Sequence, residues 1–202
     1  MPFELRDVTA RRGGRPVLAG LSLDLPDGAT AVVGPSGVGK STLLRLLNRL
    51  VDADAGTVLY RGADLRARDV LELRREVSLV PQLPALREGT VAENVALGPR
   101  LAGREPDVGR ALSLAGLDGS FAARDAARLS VGEQQRAMLA RSLALEPRVL
   151  LLDEPTSALD AAARDAVEAT LRELRVRLSL SYVLVTHDEA QAQRLADRVV
   201  RL

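Results

Sequence analysis

The sequence contains no cysteine and no tryptophan, two phenylalanines, two tyrosines, a single lysine and a single histidine. Without cysteine there are no disulfides and no thiolate metal ligands, which suits a reducing compartment. With aromatics at 2% of 202 residues, the core has to be built from Leu, Val and Ala. The length suffices for one domain, with or without a small subdomain. No apolar run approaches the ~18 residues of a membrane-spanning helix. The opening Met1-Pro2-Phe3-Glu4-Leu5-Arg6-Asp7 has no apolar signal core. Any membrane role would need another chain to supply the spans. Charge of one sign is also lacking: 28 basic against 27 acidic residues give a formal net charge of +1. That balance carries no electrostatic footprint for nucleic acid. Local clusters such as Arg11-Arg12 and Arg74-Arg75 read as solvated surface.

The scarce residues are informative. Arginine occurs 27 times and lysine once, at Lys40, while the one histidine is His187. A chain that uses arginine almost everywhere keeps its lysine where a compact point charge is needed.

Strands are expected at Phe3–Thr9, Val17–Leu25, Ala29–Val33, Thr57–Tyr60, Val77–Val80, Val149–Leu152 and Ser181–Thr186. Pro26-Asp27-Gly28 marks a turn. Leu43, Leu44, Leu46, Leu47 and Leu50 have helical spacing, and helices are expected at Val131–Leu145 and Ala161–Leu178. Val149–Leu152 is wholly apolar, as in a parallel strand buried on both faces. Alternating strands and helices predict an α/β fold with a largely parallel sheet. From Leu83 to Arg128 short helical pieces alternate with Gly and Pro, which predicts a small helical subdomain inserted into a single domain covering 1–202.

Gly34-Pro35-Ser36-Gly37-Val38-Gly39-Lys40-Ser41 fits G-x-x-x-x-G-K-[ST] between a predicted strand and a predicted helix. In such a loop successive N–H groups converge on one anion, and the helix N-terminus, with Thr42 in its first turn, adds partial positive charge. Lys40 reaches the β- and γ-phosphates, and Ser41 offers a hydroxyl to Mg²⁺. Downstream, Val149-Leu150-Leu151-Leu152-Asp153-Glu154 ends a buried strand in two carboxylates. Asp153 is the candidate Mg²⁺ ligand, and Glu154 the candidate general base. The plain alternative, acidic residues that merely open a loop before Pro155, loses weight beside the phosphate loop.

Leu129-Ser130-Val131-Gly132-Glu133-Gln134-Gln135-Arg136 resembles the L-S-G-G-Q signature of ATP-binding-cassette (ABC) ATPases. Gln82 after a strand, Ser157-Ala158-Leu159-Asp160 and His187 match that family's Q-loop, D-loop and switch histidine, in order across essentially the whole chain. The resemblance implies a P-loop NTPase with a RecA-like core, an antiparallel β subdomain and the helical insertion over Leu83–Arg128. It implies an ATPase using ATP and Mg²⁺. Two copies would close head to tail, with Ser130 and Gly132 meeting the γ-phosphate bound by the partner copy and Asp160 reporting across the interface. Gln82 would lie near metal and water, and His187 at the γ-phosphate. Ser130 and Glu133 also form an S-x-x-E capping box, a structural role compatible with the signature.

Three departures stand out. Val131 replaces a signature glycine and Glu133 the glutamine, which puts a carboxylate near the expected anion site. Where the family stacks adenine on an aromatic residue, this chain reads Ala10-Arg11-Arg12-Gly13-Gly14-Arg15. Either the Arg12 guanidinium stacks on the base, or Arg12 is merely exposed. The sequence stops at Leu202, soon after the His187 region; either it lacks the extra strands or regulatory domain of many family members, or it is a shortened form of a longer chain.

Within the family, repair and chromosome proteins place a long coiled coil between the equivalents of Lys40 and Ser130, and translation members pair two cassettes. Here that interval is about 90 residues, as in transporters. The resemblance therefore implies the ATP-hydrolysing subunit of a membrane transporter, cytoplasmic and peripheral on the inner face of the membrane. Its partner would be a separate permease docked near Gln82 and Leu83–Glu93, with no nucleic acid involved. A soluble ABC ATPase of the repair or translation type is the alternative. The Leu83–Val95 segment and the L-S-V-G signature are similar to bacterial iron-exporter ATPases, a plant aluminium-tolerance ATPase subunit and phosphate-importer ATPases.

Overall fold

The computed structural model describes residues 2–202; Met1, the first residue of the expected domain, lies outside them. In chain order the elements are β1 (Phe3–Arg12), β2 (Arg15–Leu25), β3 (Ala29–Val33), α1 (Lys40–Leu47), β4 (Ala55–Tyr60), β5 (Ala63–Asp64), α2 (Val70–Glu76) and β6 (Val77–Val80). They continue with α3 (Val91–Leu101), α4 (Val108–Leu114), α5 (Val131–Leu143), β7 (Val149–Asp153), α6 (Ala161–Leu178), β8 (Ser181–Thr186), α7 (Glu189–Leu195) and β9 (Arg198–Arg201). One compact unit gathers the residues up to Leu79 with Val149–Asp153 and Ser181–Leu202; the other gathers Val80–Arg148 and Glu154–Leu180.

The first unit holds two sheets. One is antiparallel, in the order β2-β1-β4-β5. Its first hairpin turns through Gly13 and Gly14, whose φ of 57° and 79° suit the two-residue turn that matches strand twist. The other sheet runs β6-β7-β8-β3-β9, and β3 pairs in parallel with both β8 and β9, as β7 does with β8. The strands β3, β7 and β8 are buried along their whole length, as suits predominantly apolar strands of a parallel sheet. Helix α1 packs against β7 and β8 of one sheet and β2 and β4 of the other. Leu43, Leu44, Leu46 and Leu47 are at most 1% exposed, so both faces of this short helix are covered. Burying four leucines at ~2 kcal/mol each holds fast the helix that follows the glycine-rich loop.

The second unit is helical. Helix α5 packs on α3, α4 and α6. Thr90 and Glu93 form a capping box at the start of α3, and Ser130 and Glu133 form one at the start of α5. Each such cap contributes about 1 kcal/mol by satisfying donors the helix cannot. Buried Asn94 accepts from Arg87 N–H at 2.7 Å and donates to the carbonyls of Arg87 and Thr90, both at 3.0 Å, which fixes the loop that enters α3. The segment Leu83–Arg128 lies within this unit, together with α5 and α6. Among the described residues no helix is long and apolar enough to cross a membrane.

The second hairpin strand begins at Arg15 and the first extends to Arg12, beyond the expected Val17 and Thr9, because the Gly13-Gly14 turn lets pairing run to Arg12 opposite Arg15. Strand β9 and helix α2 were not among the expected elements.

Candidate functional site

The parallel register decides which residues share an edge. Val33 lies opposite Thr186, and Asp153 opposite Val185. The carboxyl ends of β7, β8 and β3, adjacent strands in that order and ~4.8 Å apart, thus present Asp153, His187 and the Gly34 loop at one edge. That edge is where open parallel sheets bind ligands.

Local geometry shapes the loop. Gly39, the N-cap of α1, has φ 107°, and a Cβ there would lie 2.6 Å from the carbonyl oxygen of Val17, so only glycine fits. The loop residues Pro35, Ser36 and Gly37 are exposed, whereas Gly39 and Lys40 are buried. The Lys40 ammonium donates to the carbonyls of Gly34 at 2.7 Å and Pro35 at 3.0 Å. Two of its three N–H donors thus clamp the loop and one remains for an anion. The first turn of α1 carries Ser41 and Thr42, and Leu43 N–H donates to Gly39 at 2.8 Å, so the N–H groups before it point outward. Ser41 Oγ donates to Asp153 Oδ1 at 2.9 Å.

Of the candidate Mg²⁺ ligands Ser41, Gln82 and Asp153, Ser41 and Asp153 meet in this pair. One carboxylate and one hydroxyl beside a phosphate loop fit Mg²⁺, which keeps waters and takes phosphate oxygens instead of an all-protein cage. No cluster of three or more His, Cys, Asp or Glu side chains able to hold a metal occurs among the described residues. His187 is exposed at the end of β8, and the following Asp188 caps α7 by accepting from Gln191 N–H at 3.0 Å. Arg12 is exposed at the tip of the β1–β2 hairpin.

The other candidate residues belong to the second unit. Glu154 has φ 45°, a left-handed conformation that costs a non-glycine residue ~1 kcal/mol or more. Gln82 Nε2 faces Glu154 Oε2 at 3.4 Å and Ser157 Oγ at 3.2 Å. Ser157 anchors the arrangement, donating from N and Oγ to the Glu154 carbonyl at 3.2 and 3.1 Å. Ser157 was not singled out by the sequence as a contact of Glu154. Its place in the D-loop stretch was the available signal.

The signature stretch forms the exposed N-terminus of α5. Ser130 Oγ accepts from Glu133 N–H at 3.3 Å, and Glu133 Oε2 accepts from Ser130 N–H at 2.8 Å. Arg124 donates to Glu133 through Nη1 at 2.8 Å and Nη2 at 3.4 Å. That fork, then the Ser130 N–H, pulls the Glu133 carboxyl down to a pKa of about 2. Val131 is 48% exposed. A Cβ on Gly132 would lie 3.0 Å from the Ala163 methyl of α6, so this glycine has a packing reason beside any ligand reason. Asp160 caps α6, accepting from Ala163 N–H at 2.8 Å.

A glycine loop closed by the chain's one lysine, with the Ser41–Asp153 pair at a parallel sheet edge, defines a P-loop nucleoside triphosphatase site. Residues 18–157 match the ABC transporter family. The chain belongs to that family and is one of its ABC ATPase domains. Protein STAR1 of Oryza sativa subsp. japonica is 49% identical over 94% of this chain and 56% of its own length. The sulfate/thiosulfate import ATP-binding protein CysA of Bordetella bronchiseptica is 45% identical over 99% of this chain and 59% of its own. The chain thus spans little more than half of these relatives. The dimeric ATP-binding cassette MJ0796, solved in a post-hydrolysis state with ADP and Pi, superposes with a TM-score of 0.86 at 29% identity, covering 99% of this chain and 94% of that one.

Proposed function

We propose that this chain is the ATP-hydrolysing subunit of a transporter, closing head to tail on a second copy around Mg·ATP and driving a separate permease. The observation that carries the reading is the 2.9 Å bond between Ser41 Oγ and Asp153 Oδ1 at the root of the helix that begins with Lys40. The Gly34–Gly39 amides cradle the phosphates, and Lys40 places its charge on the β- and γ-phosphate oxygens. Ser41, Asp153 and Gln82 are the residues that would hold Mg²⁺, which would supply neutralisation of the charge on those oxygens. Glu154 takes the proton of the water that attacks the γ-phosphorus. The bond to the bridging oxygen breaks and ADP leaves, with His187 hydrogen-bonded to the departing phosphate. Ser130 and Gly132 at the N-terminus of α5 receive the γ-phosphate held by the partner copy, Asp160 lies at that interface, and the Arg12 guanidinium covers the base.

The permease docks beside Gln82 and Leu83–Glu93, with the chain on the inner face of the membrane. Supporting this, Leu83 is 72% exposed, and Arg87, Glu93, Asn94 and Leu97 border an open cavity of about 500 Å³. The helical segment Leu83–Arg128 serves as the subdomain that transmits the motion. Steady-state phosphate release by wild type, Lys40→Ala and Glu154→Gln tests the core of this reading. Turnover that needs Mg²⁺ and falls by at least ~100-fold in both variants is expected; variants as active as wild type would overturn it.

A further inference from the structure

A carboxylate at the N-terminus of α5 is at odds with the phosphate that end is proposed to receive. Both are anions seeking the same N–H groups and the same positive end of the helix. The structure holds an answer nine residues upstream. Arg124 grips Glu133 with both terminal guanidinium nitrogens, at 2.8 and 3.4 Å, in the fork geometry that only arginine supplies. Its guanidinium carbon lies 4.4 Å from the Phe121 ring centroid, so the ring supports the cation from one face. Its backbone is pinned as well: Arg124 N–H donates to Phe121 at 3.0 Å, and its carbonyl accepts from Val91 N–H at 2.9 Å. The second Glu133 oxygen is then committed to the Ser130 N–H at 2.8 Å.

We propose that Arg124 is a positioning residue of the signature loop, neutralising Glu133 and turning its carboxylate into a cap for Ser130 so that the α5 N-terminus can accept a partner-bound γ-phosphate. Arg124 acts through Glu133 and touches no nucleotide. Its importance is therefore conditional. With a neutral amide at position 133 there is no negative charge to offset, and Arg124 becomes dispensable. Were Arg124 merely packing on Phe121, its loss would cost the same whichever residue occupied 133.

This rests on the head-to-tail reading above. The test is a double-mutant cycle on ATP-driven dimerisation, in chains that also carry Glu154→Gln so that ATP persists. Dimer dissociation constants are measured by sedimentation in Mg·ATP for the parent, R124A, R124K, E133Q and R124A/E133Q, with melting temperatures alongside. The expected result is that R124A weakens the dimer about tenfold or more in the parent but no more than about threefold in the E133Q background. R124K, which keeps the charge and loses the fork, falls between. Equal losses in the two backgrounds, or no loss from R124A in the parent, would overturn the proposal. A parent that stays monomeric in Mg·ATP contradicts the head-to-tail reading itself, and this proposal with it. A dimerising parent whose cycle shows no coupling contradicts the Arg124 proposal alone.

Discussion

Ser41 and Asp153, separated by 112 positions in the chain, meet through a 2.9 Å hydrogen bond from hydroxyl to carboxylate. Asp153 is 6% exposed, and such a carboxylate is stable when its oxygens are engaged. Asp153→Asn keeps the shape and removes the charge that a divalent cation needs. The Mg²⁺ concentration for half-maximal turnover should rise by about tenfold or more in D153N and by less in S41A. Nucleotide binding measured in EDTA should change little in either. An unchanged Mg²⁺ requirement in D153N would remove Asp153 from the metal site.

Glu154 is held at φ 45° with its carboxylate 3.4 Å from Gln82 Nε2. That left-handed backbone is one that glycine adopts more readily than any residue with a Cβ. Glu154→Gly should therefore be more stable than Glu154→Ala by about 1 kcal/mol, since only the alanine keeps a Cβ in that conformation. Urea denaturation of the two variants checks this, and an alanine variant at least as stable as the glycine one would contradict it. Both should hydrolyse ATP slowly.

Gly132 has the Ala163 methyl 3.0 Å from where its own Cβ would stand. Gly132→Ala should destabilise the second unit by roughly 1 kcal/mol through overpacking. Adding Ala163→Gly should recover most of that melting-temperature loss without restoring ATP-driven dimerisation to the parental level. Full recovery of both would assign Gly132 a packing role alone.

Glu133 has its carboxyl pKa lowered from 4.5 to about 2, chiefly by the Arg124 fork and then by the Ser130 N–H. A carboxylate whose folded pKa is depressed adds stability that is complete above its unfolded value and fades as pH falls toward the folded one. The stability gap between wild type and E133Q should hold from neutral pH down to about pH 5 and close between about pH 4.5 and pH 2. Thermal melts over that range check it, and a gap that grows as the pH falls would contradict it.

Local chemistry was legible in the sequence and distant pairing was less so. The phosphate loop is contiguous, with Gly39 and Lys40 forced by backbone sterics and charge, and it could be read residue by residue. Strand β7 could be read because its four residues before Asp153 form one unbroken, buried apolar run. Strand β9 could not. Arg198-Val199-Val200-Arg201 is short and half-exposed, and only its pairing with β3 in the folded chain makes it a strand. Helix α2, seven residues with one fully buried leucine, has too weak an apolar stripe to stand out. The capping box at Ser130 and Glu133 was readable from its spacing. Arg124, outside α5 and off any periodic pattern, was not, because its meeting with Glu133 depends on the turn that begins at Asp118.

The composite site requires two copies of the chain to close on ATP. The measurement is the molar mass of the purified Glu154→Gln chain by light scattering, with and without Mg·ATP. The prediction is a monomer near 21.6 kDa without nucleotide and a species of twice that mass with Mg·ATP, reverting when Mg²⁺ is chelated. A chain that binds Mg·ATP and keeps the monomer mass at every concentration tested would contradict the composite site, and with it the roles given to Ser130, Gly132 and Asp160.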